Sequence, residues 1–448
     1  MPIEIVAIGG YGVVGRNMTA VRINKEVVLL DCGIHLPNYI SLTEEEAGDV
    51  IKLDEKKLKK AGAVPQDDII KDWWPEVKAL VISHAHLDHI GAVPYLAQKY
   101  DAPIIATPFA CAVLQSICKD EDIKLPNPIR PLLPNSQIKL TENITLQFVH
   151  VTHSTPQTVI IAIHTPEGIV AYGCDFKLDN SPILGKKPNY EALKALGDSG
   201  NVKALILEDL YAKDSRKMPS EAIAKEMLKD VMLGVESKGK AVVVTTFSSH
   251  IARLTTIVDF AQKLNRKVVF LGRSLAKFGY AAEDSGVAQF TSKGVKIMKY
   301  GRQVRRAMQE LMDNRDKYVI VMTGHQGEPK AMLSKIVQNM YPFRLKSEDH
   351  VIFSSNVIPA EINFKNREKL DAQLKNIGVR MFTDIHVSGH CAREDLRDVI
   401  IMLKPKHLLP IHGEKPMNDA MIDLGEEQGY IVGKTSHALH EGMHLVLH

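Results

Sequence analysis

Apolar positions follow two rhythms along the chain. In the first third they come as short β-branched runs, at 3–8, 18–23, 27–32 and 79–83, separated by turns that carry Gly or Asn. Further runs follow at 144–151, 158–164 and 169–173, the last two joined by Pro-Glu-Gly. Such runs predict a β-rich region. The run 79–83 leads directly into His84, and 90–98 reads as a helix. From about residue 204 the rhythm changes to strand, helix, strand, helix. Runs at 204–207 and 241–246 precede helical patterns at 220–233 and 250–264, and runs at 267–271, 318–323 and 351–354 each lead into a loop and a helix. This alternation predicts a parallel sheet flanked by helices. After about residue 382 short strand ends return, carrying histidines in DIHVSGH and LLPIHGE. There is no repeat, low-complexity tract or Pro/Gly-rich linker, so the alternating region is expected to be inserted into the first. The expected division is 1–208, 209–375 and 376–448.

One stretch, 36–71, breaks the pattern. It is rich in charge (EEEAGD, LDEKKLKK) and holds no clear strand. Two readings stay open: a solvated surface insertion, or an element that builds a subunit interface.

Composition narrows the class. At 448 residues the chain is too long for one ordinary core, which again favours two lobes. Apolar residues at 45% and charged residues at 24% exclude a disordered chain. Lys and Arg total 56 against 53 Asp and Glu. That balance argues against a polycation but leaves room for a basic groove. The five cysteines form no CxxC pair, and an odd number cannot all pair, so free thiols in a reducing compartment are expected. Cys174 reads as a small buried residue. The N-terminus has no leader pattern, and no apolar run approaches the roughly 20 residues that span a bilayer. A cytoplasmic protein without membrane segments is the expectation.

The chemistry concentrates in SHAHLDH, where His84, His86, Asp88 and His89 fall within six positions just after a strand. A lone histidine is usually a structural residue, but four ligand-type residues in a turn point to metal. Imidazole and carboxylate are zinc ligands, and a set that leaves open positions is catalytic rather than structural. His153 in VTHSTP, Asp175 in YGCDFK and His412 in PIHGE each end a predicted strand. Alone, each could equally be a solvated or core residue. Together they supply a third histidine for each of two zinc ions and one carboxylate to bridge them. Asp31, ending VVLLDCG, is cast as a carboxylate that orients a ligand or the water.

HxHxDH followed by a lone His, a lone Asp and a late His resembles the metallo-β-lactamase fold. The large insertion before the last His, with Glu208, His390 and His412, is similar to the β-CASP nucleases. GGYGVVGRNM, TFSSH, TGHQGEP, IFSSNVIP, HVSGH and IHGE match, in order, the ribonuclease J branch of that group. The resemblance covers essentially the whole chain. It implies an αββα sandwich with an inserted α/β β-CASP domain built on a parallel sheet, of the archaeal kind that lacks the C-terminal domain of bacterial relatives. Two departures stand out: Val13 where an acidic residue is usual, and His325 where a small polar residue is common.

The resemblance also implies roles. Two zinc ions activate a water that attacks phosphorus in line, with Asp88 and Asp175 orienting it. His390 donates a proton to the leaving oxygen, and Glu208 holds and polarises it. Single-stranded RNA runs past Ser248, Ser249 and His250 of TFSSH, Thr323, Gly324 and Gln326 of TGHQGE, and Ser354, Ser355 and Asn356 of SSN. Helix starts favour anions, although each hydroxyl alone could be a plain cap. A closed pocket for a 5′-monophosphate is implied at the Ser355 loop and His386. Arg302, Arg305 and Arg306 read as a basic patch or a solvated helix face. The implied activity is that of a 5′→3′ exoribonuclease releasing mononucleotides, and a homodimer is implied as well. The alternatives are an endonuclease of the same fold, a small-molecule hydrolase and a scaffold with a dead site. The long segment between Asp175 and His412 disfavours the second, and the full ligand set disfavours the third.

Overall fold

The computed structural model describes residues 2–45, 53–359 and 361–448. The chain divides into two compact units, one formed by 1–180, 186–218 and 389–448, the other by 181–185 and 219–388. Apart from the short excursion at 181–185, the chain crosses between units at 218/219 and 388/389, each C-terminal to the divisions at 208/209 and 375/376 expected from the sequence.

The first unit contains two sheets. The seven-stranded one begins with the C-terminal strand His444–Leu447, followed by Ile3–Gly9, Met18–Ile23, Glu26–Leu30, Val77–Val81, Ile104–Ala106 and Ile129–Pro131. The six-stranded one runs His407–Ile411, Val202–Glu208, Gly168–Gly173, Val159–Thr165, Thr145–His150, Gln137–Lys139. Their facing sides share one core. Ile3, Ile5, Val21, Val28 and Val81 from the first sheet join Ile161, Ile163, Val170, Tyr172, Ile206 and Leu409 from the second. Side chains alternate across a strand, so the neighbouring positions Ile160, Ala162, Ala171, Leu205 and Leu207 face the other way. There they pack with Leu193, Leu196, Leu396, Val399, Ile400, Met421 and Leu424 from three helices. A strand buried on both faces must be apolar at every position, which is why 159–163 and 204–207 read as unbroken apolar runs. Each such isoleucine or leucine adds about 1.5–3 kcal/mol.

The second unit holds a six-stranded sheet whose pairs are all parallel, in the order Lys296–Met298, Lys267–Leu271, Tyr318–Met322, Val242–Thr245, His350–Phe353, Arg380–Phe382. Val243, Val269, Ile320, Val351 and Phe353 on one face pack against Val304, Met308, Leu311, Leu333, Leu370 and Leu374 from helices. The alternating apolar rhythm after residue 204 thus becomes a strand–helix fold.

The described part of the 36–71 segment is only partly solvated. It carries helices Leu36–Glu45 and Glu55–Lys60, and a 3₁₀ stretch Asp67–Glu76 follows. Leu58, Ala63, Val64 and Ile70 are buried. The charged run is amphipathic: Lys59 turns to the fully buried Asp67 at 2.7 Å, and Tyr100 and Lys99 share the same carboxylate. Part of EEEAGD, residues 46–49, lies outside the described residues. The expected helix 90–98 is broken into Leu87–Ile90, Val93–Leu96 and a 3₁₀ turn Ala97–Lys99. All five cysteines are free thiols. Among the described residues no helix is long and apolar enough to cross a membrane.

Candidate metal centre

Strand ends in the first unit deliver the site. Val202–Glu208 lies between Gly168–Gly173 and His407–Ile411, parallel to both, with Leu207 opposite Gly173 and Glu208 opposite Ile411. Asp175, Glu208 and His412 therefore emerge side by side at the carboxyl edge. From the facing sheet, Glu26–Leu30 and Val77–Val81 run parallel and deliver Asp31 and the SHAHLDH turn. The turn is pinned by close backbone approach: a Cβ on Gly33 would lie 1.6 Å from the carbonyl oxygen of Asp88. Asp31, Asp175 and His412 all have left-handed backbone, with φ of 58, 55 and 72°. Such geometry costs about 1–3 kcal/mol per residue and persists only where surrounding bonds impose it.

The ligand-type atoms converge in two groups. In the first, His84 Nε2 and His153 Nε2 each lie 3.1 Å from His86 Nδ1. Asp175 Oδ2 is 3.5 Å from His84, 3.9 Å from His86 and 3.8 Å from His153. In the second, His89 Nε2 is 3.6 Å from Asp88 Oδ2 and 3.3 Å from Asp175 Oδ2. His412 Nε2 is 3.7 Å from Asp88 Oδ2 and 3.3 Å from Asp175 Oδ1. Asp175 belongs to both groups. Four ligands about 2.0–2.1 Å from a tetrahedral ion stand about 3.3 Å apart, so both sets have the right size for one.

Hydrogen bonds on the far side decide which ring atoms face inward. His153 Nδ1 donates to the carbonyl of Gly389 at 2.7 Å, so its Nε2 presents a lone pair. His89 Nδ1 lies 2.8 Å from Asp31 Oδ2, and His84 Nδ1 lies 3.0 Å from Ser83 Oγ, which itself donates to Asp31. Asp31 also accepts from the Ser83 N–H and the Tyr172 hydroxyl. Its carboxylate thus backs two of the histidines from behind. His84 Nε2 and His153 Nε2 thus turn lone pairs on His86 Nδ1, 3.1 Å from each. A single proton on that nitrogen can serve only one of them, whereas a cation would meet all three. Burial holds the His84 pKa down to about 3 and that of His153 well below the usual range, which keeps both rings neutral. Desolvation opposes a charged Asp175, but His412, His89 and His390 outweigh it and hold the carboxyl well below its ordinary value. His84 and His153 are thus neutral donors beside an ionised carboxylate. Burial disfavours a charged His89, but Asp175 and Asp88 outweigh it and hold its pKa well above the usual range, so that ring would give up a proton to a divalent cation.

Beside this cluster, His390 Nδ1 lies 2.8 Å from Glu208 Oε2, while Glu208 Oε1 accepts the backbone N–H of Phe176 at 2.7 Å. Burial alone would lower the His390 pKa, but Asp175 and Glu208 push it up to about 9. His390 stacks 6.1 Å from His412 and is tied to His153 through the Gly389 carbonyl. Glu208 takes Nδ1, so any proton the ring hands on leaves from Nε2.

The loops expected to meet phosphate lie in the second unit, apart from His390. Ser354 Oγ accepts from Arg253 at 2.8 Å and donates to the Ile385 carbonyl. Gln326 bridges two backbone groups, the carbonyl of Asn356 and the N–H of Ile358. His250 caps helix Ile251–Lys263 and lies 3.4 Å from Glu221 Oε2. These three side chains are thus engaged within the fold. Ser355 is buried and its hydroxyl has no protein partner. Ser249 is buried, Ser248 and Thr323 are half-buried, and Asn356 is exposed. The rings of His325 and His386 lie 4.3 and 6.2 Å from Phe247. Burial lowers the His325 pKa to about 3, so the ring standing at the unusual position is neutral. Arg302, Arg305 and Arg306 are exposed on helix Gly301–Asp313.

Sequence reasoning gave no role to Ser83, Tyr172 or the Gly389 carbonyl, which carry no ligand signature. It also passed over Asn17, whose only signal was its place in GGYGVVGRNM. Asn17 is fully buried, and its carboxamide touches His412 and the Asp88 backbone.

Three family models match the chain. The Metallo-beta-lactamase superfamily model covers residues 11–230, the Ribonuclease J, beta-CASP domain model 239–368, and the Zn-dependent metallo-hydrolase RNA specificity domain model 376–435. The chain is 41% identical over 444 residues to Ribonuclease J of Methanocaldococcus jannaschii, spanning 99% of this chain and 98% of that one. It is 41% identical to Ribonuclease J of Pyrococcus abyssi, over 96% and 94% of the two chains. Ribonuclease J 1 of Streptococcus pyogenes is 29% identical, over 95% of this chain and 71% of its own. A solved structure described as a protein of unknown function from Enterococcus faecalis aligns over 100% of both chains, with a TM-score of 0.66 and 18% identity, a likeness of fold alone.

Proposed function

The chain belongs to the ribonuclease J family, and from that premise we propose that it is a zinc-dependent 5′→3′ exoribonuclease that degrades single-stranded RNA bearing a 5′-monophosphate and releases mononucleotides. The observation that carries this reading is the pair of ligand groups sharing Asp175, with the Glu208–His390 pair beside them. One Zn²⁺ would be held by His84, His86, His153 and Asp175, the other by Asp88, His89, His412 and Asp175. Bound zinc supplies Lewis-acid chemistry: it activates the attacking water and neutralises charge building on the phosphoryl oxygens. Asp88 and Asp175 orient the water. His390 gives its Nε2 proton to the leaving 3′-oxygen, and Glu208 holds the imidazolium that makes this possible. The Ser355 hydroxyl, buried and without a protein partner, is the side chain of its loop best placed to bind a terminal phosphate.

Cytoplasmic RNA decay is the setting we assign. Self-association is placed on the 36–71 segment, where Ile40 is exposed, and Ile69 is likewise exposed. Light scattering on Ile40→Glu/Ile69→Glu should then show the mass of one chain rather than two; an unchanged mass sinks that assignment. For the activity, RNA labelled at its 5′ end should yield labelled mononucleotide from the first time point, while 3′-labelled RNA shortens gradually. Cleavage of circular RNA as fast as linear RNA would favour the endonuclease.

A further inference from the structure

What a histidine can offer a metal depends on what its second ring nitrogen meets. His89 and His390 meet carboxylates, His153 a backbone carbonyl and His84 a hydroxyl backed by Asp31. His412 meets the carboxamide of Asn17, from a position 395 residues away. An amide differs from those partners in carrying both a donor and an acceptor. Asn17 Oδ1 lies 3.1 Å from His412 Nδ1, and Asn17 Nδ2 lies 2.8 Å from the same nitrogen. The Nδ2 group also donates to the Asp88 carbonyl at 3.0 Å and lies 3.1 Å from His89 Nε2.

Both tautomers of His412 are therefore served. With no cation present, Nε2–H points at Asp175 Oδ1, 3.3 Å away, and Nδ1 accepts from the amide nitrogen. With a cation, Nε2 must offer its lone pair, the proton moves to Nδ1, and Oδ1 accepts it. A carboxylate at residue 17 would favour only the second state. The strut is rigid. Asn17 N donates to Asp88 O, His412 N donates to Gly10 O at 2.7 Å, and a Cβ on Gly10 (φ 86°) would lie 2.2 Å from Asn17 Oδ1. Everything the amide touches among the ligands, Asp88, His89 and His412, belongs to the second group.

We propose that Asn17 is a positioning residue for the second metal, serving His412 in both tautomers and so setting how firmly the ion on Asp88, His89, His412 and Asp175 is held, while leaving the first ion untouched. This inference rests on the two-zinc reading above. The test is metal content, not activity. Zinc-loaded wild type, Asn17→Leu and Asn17→Asp are challenged with a graded chelator, and zinc per chain is read by elemental analysis. Wild type should lose its ions in two steps. In Asn17→Leu the first-released ion should be held about 10–100-fold more weakly, the usual scale for losing a ligand's orienting partner, with the later step unchanged. In Asn17→Asp the same ion should be held at least as firmly as in wild type. The later step is the internal control for folding. Wild type with fewer than two ions overturns the two-zinc reading. Two ions in wild type with an unshifted first step in Asn17→Leu overturns the proposal alone. Equal weakening of both steps, or the same weakening in both variants, marks Asn17 as a general packing residue and overturns it too.

Discussion

The two units treat their polar side chains in opposite ways. In the first, hydrogen bonds from behind (Asp31, Ser83, the Gly389 carbonyl) occupy the outward nitrogens of His89, His84 and His153, so their lone pairs turn toward Asp175, while Glu208 takes the outward nitrogen of His390. In the second, the side chains of TFSSH, TGHQGE and SSN that most suggest anion binding are largely spent on the fold. Ser354 satisfies Arg253, Gln326 ties two loops, and His250 caps a helix. One region is thus organised to hold a charge, and the other to hold its own loops still. Of the residues there that suggest binding chemistry, Ser354, Gln326 and His250 are bracing, while the buried Ser355 hydroxyl has no protein partner.

The largest expected effects break the first region. Asp175→Ala removes a ligand from both groups and should reduce zinc well below two per chain and abolish turnover. His412→Ala should lose zinc from the second group as well as activity. Full metal content in either variant, read by elemental analysis, would overturn the ligand assignment. Next comes His390→Ala, which leaves every proposed ligand in place. Both ions should stay bound while kcat falls about 10²–10⁴-fold. Glu208→Gln should do the same more mildly, and the double variant should be less than additive because the two act as one unit. A substrate with a better leaving group than a ribose alkoxide should restore much of the His390→Ala loss and none of the His412→Ala loss.

The raised pKa of His390 gives that role a pH signature. The protonated ring is the working form, so the rate should fall as pH rises through its pKa, at about 9 or below, since cations beside it can only lower the value. His390→Ala should abolish that alkaline limb. A limb that persists unchanged assigns it to another group.

Smaller effects sharpen the contrast in the second region. Ser355→Ala should raise KM for 5′-monophosphate RNA more than it lowers kcat, with little change in stability. Ser354→Ala should act the other way. It leaves the buried Arg253 guanidinium one acceptor short and should cost about 1–3 kcal/mol of stability in chemical denaturation, with KM nearly unchanged. If the two serines exchange these phenotypes, the division between bracing and binding is wrong.

How much of this could be read in advance differs by residue. SHAHLDH was legible because four ligand-type residues in six positions have no ordinary structural use. The apolar runs at 158–164 and 204–207 were legible because strands buried on both faces must be apolar throughout. The burial of Leu58, Ala63, Val64 and Ile70 was not, because Leu58 and Ile70 are isolated among charges and only the neighbouring Asp67 network shows which lysines turn inward. The C-terminal strand His444–Leu447 was missed for a similar reason. It is short, half exposed, and made a strand by pairing with Ile3–Gly9.

By itself the sequence determined most element types, the two-part architecture and the inventory of ligand-type side chains, since these follow from local periodicity and residue chemistry. Tertiary structure decided which nitrogen of each ring faces inward, that Asp175 lies between two groups of ligands, and that Asn17 meets His412 across 395 positions. The reason is physical. A pattern along the chain carries no record of which strand ends will lie side by side, and the tautomer of an imidazole is set by whatever its far nitrogen meets once they do.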